Sequence, residues 1–338
     1  MNKTKALVCT GFCIFSFFLC ISIGSVAIPI FDVFRILGHV IFRLDLPLHL
    51  TEANAAIVWN LRLPRVLLAF LAGASLSVSG AVMQSVLRNP LASSYTLGVS
   101  SGASLGAALV IFMGFSIPLL SIFTLPLLGF LFGLGTIILS ISFASRLNPR
   151  MENHTIILVG MVFSLFINAI TTLMFALYRE SIQRMIYWQM GSFSMRDWQA
   201  IYILAPLAII GIFYISRYRL ELDVLSFGEN DAELMGLNSS RVKWKLLVSS
   251  AALTGSTIAF AGVIGFVDLV TPHVMRKIFG SSHRYLIPMS AMAGGAFMAL
   301  CDLAARMAVP SVELPVGAVT ALIGAPFFAY VYFAKRKG

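Results

Sequence analysis

The feature that most constrains this chain is the stretch 89–145, which contains no Asp, Glu, Lys or Arg. As a single helix it would measure about 86 Å at a rise of 1.5 Å per residue, whereas the hydrocarbon core of a bilayer is about 30 Å thick. Glycine and proline lie near its middle, at 114–118. The stretch therefore predicts two membrane-crossing helices joined by a turn at that position.

The composition indicates that most of the chain lies in a lipid bilayer. Of the 338 residues, 59% are hydrophobic and 11% are charged, whereas a soluble globular protein has about 25% charged residues. A disordered chain is excluded too, because disorder requires low hydrophobicity and high charge. The net charge of +10 does not indicate a nucleic-acid partner, since basic residues of membrane proteins mark cytoplasmic loops.

The other segments that are uncharged or nearly so extend this prediction to the whole chain. With the two spans in 89–145 they make nine, and they lie at 6–27, 66–87, 153–178, 198–216, 246–267, 285–301 and 314–334. A shorter tenth span is predicted at 268–279. Lys3, Lys5 and the basic cluster 335–337 place both termini in the cytoplasm by the positive-inside rule, which requires an even number of spans. We predict an all-α membrane protein, a polytopic bundle of about ten transmembrane helices in one domain, 1–338.

The carboxylates inside the predicted spans raise a question about what drives this bundle. The chain has no GxxxxGK[ST] phosphate loop and no HExxH zinc motif, so we expect no ATP hydrolysis by the chain itself, no metal and no cofactor. Asp302 has Arg306 four residues further on, a spacing that predicts an ion pair on one helix face. Asp268 has no such partner and therefore lies near an interface or faces a wet pathway. An ion-coupled secondary carrier that uses Asp268 stays an alternative at this point, and a membrane-embedded enzyme is a more distant one.

The stretch 217–245 is the one substantial polar segment between predicted spans. The spacing of Ser226 and Glu229 is typical of a capping box at a helix start, and Gly236 is a natural helix stop. An apolar face is expected from Ala232, Met235 and Leu237. We predict one or two short surface helices, which form either a solvated connector or a docking element for a nucleotide-hydrolysing partner.

Arginines mark the opposite side of the predicted bundle. Arg62 and Arg65 begin the second span, and Arg306 ends the ninth. Because basic residues are depleted on the outer side of membrane proteins, an external arginine cluster favours a specific anionic partner with carboxylates. Snorkelling of these side chains at the interface explains the spacing equally well.

Glycines at a four-residue interval predict how the helices pack. Gly98, Gly102 and Gly106 repeat the GxxxG pattern, which allows a neighbouring helix to approach closely. We interpret the pattern as helix packing and not as a ligand site.

Several sequence motifs together resemble the FecCD-type permeases, the membrane subunits of bacterial ABC importers for iron-siderophores, haem and cobalamin. The motifs are 62–65 (RLPR), 79–84 (SGAVMQ), 88–91 (RNPL), 97–103 (LGVSSGA), 228–237 (GENDAELMGL), 272–276 (PHVMR) and 313–327 (ELPVGAVTALIGAPF). The resemblance runs from about Arg62 to the end of the chain. It implies a type II ABC importer permease in the bacterial cytoplasmic (inner) membrane, which pairs with a second copy or a sister permease. Its implied partners are two cytoplasmic ABC ATPase subunits and an extracytoplasmic substrate-binding protein.

The same resemblance implies roles for three groups of residues. Arg62, Arg65 and Arg306 match positions that receive glutamates of the binding protein. Coupling to the ATPase is implied for Gly228, Glu229, Ala232, Glu233, Gly236 and Leu237. A cytoplasmic gate is implied for Asn89, Pro90, Leu91, Asn153 and His154.

One departure from the family pattern concerns the pathway. Where the family has Phe-Val-Gly-Leu, this chain has Asp268 in place of the glycine. One interpretation is that Asp268 lies in the translocation pathway. The cargo is left open among siderophore, haem, cobalamin and molybdate, with a ferric siderophore expected on family frequency alone.

Overall fold

The computed structural model describes residues 2–194, 197–309 and 312–334, and within them the chain folds into α-helices without a β-strand. The α-helices are α1 (Asn2–Ser22), α2 (Ile30–Phe42), α3 (Glu52–Ala56), α4 (Leu63–Val86), α5 (Val99–Met113), α6 (Thr124–Leu147), α7 (Asn153–Leu177), α8 (Ile182–Gln189), α9 (Trp198–Arg217), α10 (Arg219–Leu225), α11 (Glu229–Leu234), α12 (Ser239–Ala261), α13 (Val267–Phe279), α14 (His283–Met307) and α15 (Val316–Ala334). A π-helical segment, Ile57–Arg62, joins α3 to α4 without a break.

The predicted membrane spans coincide with helices. Among the described residues six helical stretches are long and apolar enough to cross a membrane: Lys3–Ser22, Glu52–Val86, Thr124–Leu147, Asn153–Leu177, Trp198–Arg217 and His283–Met307. Two apolar helices are shorter, Val99–Met113 and Val316–Tyr330. The remaining two predicted spans correspond to α12 and α13. The all-α membrane fold is confirmed, and the number of spans is about ten.

The bundle has two ends, which we name by their residues. The loop end contains α10, α11 and the turns 88–92 and 148–152, and the arginine end contains Arg62, Arg65 and Arg306. At the loop end the ammonium group of Lys5 in α1 donates to the carbonyl of Ile278, at 3.3 Å. α15 starts beside α8, where Gly317 packs on the Met190 carbonyl, and it runs back along α13. The free ends of α1 and α15 therefore lie at the same end of the bundle, as an even number of crossings requires.

Small residues position α4 at the centre of the bundle, in contact with α9, α12, α13 and α14. A methyl group added at Gly73 would lie 2.1 Å from the carbonyl oxygen of Gly294 in α14. One added at Gly80 would lie 1.8 Å from the carbonyl oxygen of Asp268 in α13. These helices therefore meet backbone to backbone, a contact that only glycine permits.

The GxxxG pattern has the packing role that we expected at two of its three positions. Gly102 and Gly106 place α5 directly on the backbone of α6, near the carbonyl oxygens of Phe132 and Leu128. Gly98 lies outside the helix, since α5 begins at Val99 and Gly98 has a φ of 98°. The chain turns at Gly114, with a φ of 65°, before α6 begins, so the turn predicted at 114–118 is confirmed.

One prediction about a connecting segment needs correction, and another connecting segment has a structure that the sequence analysis did not predict. α12 begins at Ser239 and α9 ends at Arg217, so the polar connection is shorter than 217–245. The segment between the first two spans, with no predicted structure, forms α2 and α3. Asp32, near the start of α2, accepts from Arg35 in the same helix at 3.0 Å and lies 3.1 Å from His49 in the connection that follows α2.

Candidate functional site

Two short helices, α10 and α11, form the loop end, as the sequence predicted. α11 ends in a Schellman motif, because the amide of Leu237 donates to the Ala232 carbonyl at 2.9 Å and that of Gly236 donates to the Glu233 carbonyl at 2.9 Å. Gly236 has a φ of 83°, a conformation that glycine adopts without strain. The predicted helix stop at Gly236 is confirmed.

The start of α11 differs from the predicted capping box. The hydroxyl of Ser226 donates to the carbonyl of Asp223 at 2.6 Å, so it does not cap α11. Gly228 occupies the N-cap position with a φ of 133° and no side-chain cap. The Ser226 side chain therefore does not cap the start of α11, and the capping-box prediction is wrong.

The apolar residues of the connection divide between an inner and an outer surface. Ala232 is buried and Leu237 packs against the core, whereas Met235 is exposed, contrary to the predicted apolar face. Leu234 is 87% exposed and Phe227 is 66% exposed. We call Phe227, Leu234 and Met235 the apolar knob. Acidic residues flank these three in the sequence, so we do not expect them to lie in lipid. Large apolar side chains that are exposed in this way suit an interaction surface.

α10 is fastened to the bundle through Asp223. Its carboxylate accepts from the backbone amide of His283 at 2.8 Å and lies 2.6 Å from the Nδ1 atom of the same residue. The Nε2 atom of His283 lies 2.7 Å from the hydroxyl of Ser85. α10 is therefore linked to the start of α14 and, through it, to the end of α4.

α11 is fastened through Glu229. Its carboxylate accepts from the ammonium group of Lys243 in α12. The same ammonium group donates to the side-chain oxygen of Asn153 at 2.8 Å. The implied coupling residue Glu229 and the implied gate residue Asn153 thus share one lysine, which the sequence analysis did not single out.

The implied gate residues all lie at the loop end. The side chain of Asn89 accepts from the amide of Leu91 at 2.9 Å and so forms the turn that contains Pro90. Arg88 in that turn lies close to Gly228 before α11. His154 is exposed, with its Nε2 atom 3.4 Å from Glu152. The two gate segments therefore border the connection formed by α10 and α11, and their gating role stays a prediction.

Asp268 faces protein. The residue is 2% exposed, and its carboxylate accepts from the hydroxyl of Ser93. Its backbone carbonyl accepts from the side-chain amide of Gln84 in α4 at 3.2 Å. Gln84 in turn accepts from Arg276 at 2.9 Å. Asp268 is therefore part of the contact between α4, α13 and the turn before α5, and its place in the pathway stays a prediction.

At the arginine end Arg65 is the centre of an ion-pair cluster. Its guanidinium group donates to both oxygens of the Asp302 carboxylate, at 2.9–3.1 Å, and to Glu313 at 2.8 Å. Arg306 lies 3.7 Å from the same Asp302 carboxylate. The predicted pair of Asp302 and Arg306 exists, but Arg65 is the stronger partner. Burial raises the pKa of Glu313, and the hydrogen bonds from Arg65 and Ser194 outweigh that effect and lower it below its usual value.

The other two arginines are bound to backbone oxygens. Arg62 is 5% exposed and donates to the carbonyls of Ile21 and Ser22 at 3.0 and 2.9 Å. Arg306 donates to the carbonyl of Cys20. These carbonyls belong to the last turn of α1, whose oxygens have no intrahelical donors. The folded chain thus supplies acceptors for Arg62 and Arg306 itself, and docking of a partner through these residues stays a prediction.

Within the described residues no group of three or more His, Cys, Asp or Glu side chains could hold a metal ion. The residues that the sequence analysis missed are Lys243, Asp223, His283 and Ser85. Their contacts join positions far apart in the chain, such as 223 and 283, and no local spacing signals such a pair. Lys243 lies in a basic stretch that indicates only membrane orientation.

Comparison with known proteins agrees with this arrangement. The FecCD transport family matches residues 12–334. The chain is 40% identical to the uncharacterised ABC transporter permease YvrB of Bacillus subtilis, over 96% of this chain and 91% of that protein. It is 36% identical to the cobalamin import permease BtuC of Halobacterium salinarum, over 83% of this chain and 74% of that protein.

The fold has a solved counterpart. A structure described as an inward-facing conformation of a metal-chelate type ABC transporter superposes with a TM-score of 0.85 and 28% identity, over 98% of this chain and 99% of that one. ABC permeases of this family are not enzymes, since a separate subunit hydrolyses ATP. The chain is a member of the FecCD transport family and thus an ABC transporter permease subunit.

Proposed function

We propose that this permease imports a metal chelate across the bacterial cytoplasmic membrane, with both termini in the cytoplasm. In this proposal two copies, or this chain and a sister permease, form the translocation path. Two ABC ATPase subunits bind the loop end, and a substrate-binding protein delivers cargo to the arginine end. The observation that carries the proposal is the exposed apolar knob, Phe227, Leu234 and Met235, in or next to the ends of α10 and α11, two short helices that charged contacts fasten to the bundle.

The proposed mechanism is alternating access driven by the partner ATPases. Closure of the ATPase dimer on ATP displaces α10 and α11, and the contacts of Asp223 and Glu229 pass that displacement to α14 and α12. The residues proposed for coupling are Gly228, Glu229, Ala232, Glu233, Gly236 and Leu237. The gate segments 89–91 and 153–154 border these helices and respond by opening or closing the path.

The arginine end is the proposed docking surface for the binding protein. Arg65 reaches the surface beside Glu313, whose side chain is 46% exposed. A carboxylate of the binding protein would take the place of Glu313 on this guanidinium group. Arg62 and Arg306 would support the surface from inside, through their contacts with the last turn of α1.

A metal chelate is the proposed cargo class. Support comes from the solved metal-chelate type transporter and from the cobalamin permease, which are similar to this chain over most of its length. A ferric siderophore is the specific member that we propose. The alternative, a carrier driven by an ion gradient through Asp268, has less support, because that carboxylate is enclosed by protein next to Ser93.

Association with the ATPase and its use of ATP test the proposal together. Leu234→Asp places a charge on the apolar knob, and we expect it to weaken binding of the co-expressed ATPase by about tenfold or more, as for hot-spot residues. Leu48→Asp is the matched control, since Leu48 is also highly exposed and lies next to His49, on the side of α2 that begins beside the arginine end. It should leave that binding unchanged. Vesicles that contain the permease, its ATPase and ATP, with the substrate-binding protein supplied on the outside, should take up a ferric siderophore when an ionophore is present. Uptake that continues without ATP and stops with the ionophore would contradict the proposal.

A further inference from the structure

Lys243 is a buried ammonium group with a complete set of acceptors. The residue is 1% exposed, and its Nζ atom donates to the Met151 carbonyl at 3.1 Å, to Asn153 at 2.8 Å and to Glu229. An ammonium group has three N–H donors. Each donor therefore has one oxygen acceptor, and one of these acceptors is a carboxylate that balances the charge.

The three acceptors come from separate parts of the loop end. Glu229 is the first residue of α11, Met151 belongs to the connection between α6 and α7, and Asn153 is the first residue of α7. Lys243 itself lies in the first two turns of α12. A second contact from α12 reaches the same connection, since the Ser240 hydroxyl donates to the carbonyl of Pro149 at 3.1 Å.

The backbone of the connection is held in a conformation that suits this contact. Met151 is buried and has a φ of 51°, in the left-handed region that side chains other than glycine rarely adopt. Its amide donates to the Asn148 carbonyl at 2.8 Å, while its carbonyl accepts from Lys243. The two hydrogen bonds hold the turn in place against the backbone strain.

Separating any of these segments from Lys243 would be unfavourable. A buried charge that loses its partner is strongly unfavourable, because the protein interior cannot replace water as a solvent for it. A displacement of α11 that broke the contact with Glu229 would leave the ammonium group with neutral acceptors only. It is more favourable for α11, α12 and the start of α7 to move together.

We propose that Lys243 is a positioning residue that makes α11 and the start of α7 one mechanical unit, so that displacement of α11 by the ATPase reaches the proposed gate at 153–154. The inference rests on the proposed function for the source of the displacement. The link between the two helices is a property of this chain alone. α10 has its own anchor, Asp223 on His283, and is not part of this unit.

The first experiment tests the link in the isolated permease. Spin labels are placed at Asp231 in α11 and at Arg150 before α7, both exposed, and the distribution of distances between them is measured. We expect a narrow distribution in the parent protein and a broad one in Lys243→Met. Lys245→Met is the matched control, since it removes an ammonium group two residues away whose nearest polar contact is the Tyr218 hydroxyl at 3.5 Å.

Asn153→Ala removes one acceptor and keeps the pair of Lys243 and Glu229, so it provides the measurement if Lys243→Met does not fold. Its distance distribution should also broaden. Distributions as narrow as that of the parent in either folded variant would overturn the inference, whatever the ATPase does.

The second experiment uses the complex with the ATPase and measures cargo transported per ATP hydrolysed. We expect Lys243→Met to lower that ratio by about fivefold or more, a coupling effect of ordinary size, while the ATPase still binds and hydrolyses ATP. Lys245→Met should keep the parent ratio. An unchanged ratio for Lys243→Met would reject its role in coupling. Failure of the parent protein to bind an ATPase would instead reject the proposed function and leave the first experiment valid.

Discussion

Replacing Asp302 by Ala tests whether the arginine end is held together from inside. The Asp302 side chain is fully buried, and its carboxylate accepts three hydrogen bonds from Arg65, at 2.9, 3.0 and 3.1 Å. Arg306 lies 3.7 Å from it. Without the carboxylate, two guanidinium groups that are at most 13% exposed would lie near each other with only Glu313 to balance them.

The expected loss is about 3–5 kcal/mol of unfolding free energy, the range found when one partner of a buried ion pair is removed. Glu313→Gln removes a carboxylate that is half exposed and should cost about 1 kcal/mol or less. Replacing both partners, as in Arg65→Met with Asp302→Leu, removes the unpaired charge along with the pair. The double variant should therefore be more stable than Asp302→Ala.

The assay is unfolding of the purified permease in mixed micelles at increasing SDS, followed by tryptophan fluorescence. The reasoning is refuted if Asp302→Ala loses no more stability than Glu313→Gln, or if the double variant is the least stable of the three. Either result would mean that Arg65 does not depend on Asp302 and is free to bind an external carboxylate.

Three further outcomes follow from the contacts described above. Gly80→Ala should destabilise the permease by about 1–3 kcal/mol or prevent folding, because its methyl group would overlap a carbonyl of α13. Gly135→Ala in α6 has open space around it and should not; thermal unfolding in detergent distinguishes the two variants. Because its pKa is lowered, Glu313 stabilises the fold fully above its usual pKa of 4.5 and loses that effect as the pH falls through the lowered value. The unfolding free energy of Glu313→Gln should therefore fall less steeply with acid than that of the parent protein, and parallel profiles of unfolding free energy against pH would contradict this. Ser226→Ala should change stability by less than about 0.5 kcal/mol, since Ser226 does not cap α11, and a loss of 1 kcal/mol or more would restore the capping box.

The helices were predictable because the bilayer imposes a strict pattern on sequence. A charge-free stretch such as 89–145 has to form helices, since backbone groups in lipid must bond within their own segment. The break at Gly114 was readable from glycine and proline alone. The length of α12 was not predictable, because its first turns are polar and yet belong to α12 and not to the connection before it. α2 was missed because a count of charges does not reveal that Asp32 pairs with Arg35 in the same helix and lies beside His49 in the following connection.

The site was predictable where a motif is local and not where it depends on the fold. The end of α11 at Gly236 depends only on residues that are neighbours in sequence, so it could be predicted from the glycine at that position. The surroundings of Arg62 depend on carbonyls of α1, 40 residues away, so the sequence alone left its exposure undetermined. The role of Lys243 is visible only in the folded chain, where Met151, Asn153 and Glu229 accept from its ammonium group.

The most direct measurement for the whole account is photo-cross-linking in cells that contain the complete transporter. A photo-reactive amino acid replaces Leu234 at the loop end in one strain and Leu48 near the arginine end in another, and the captured proteins are identified by mass spectrometry. The account predicts that position 234 captures the ATPase subunit and that position 48 captures the substrate-binding protein and no ATPase. Capture of the ATPase at position 48, or of the binding protein at position 234, would contradict the orientation and the division of roles between the two ends.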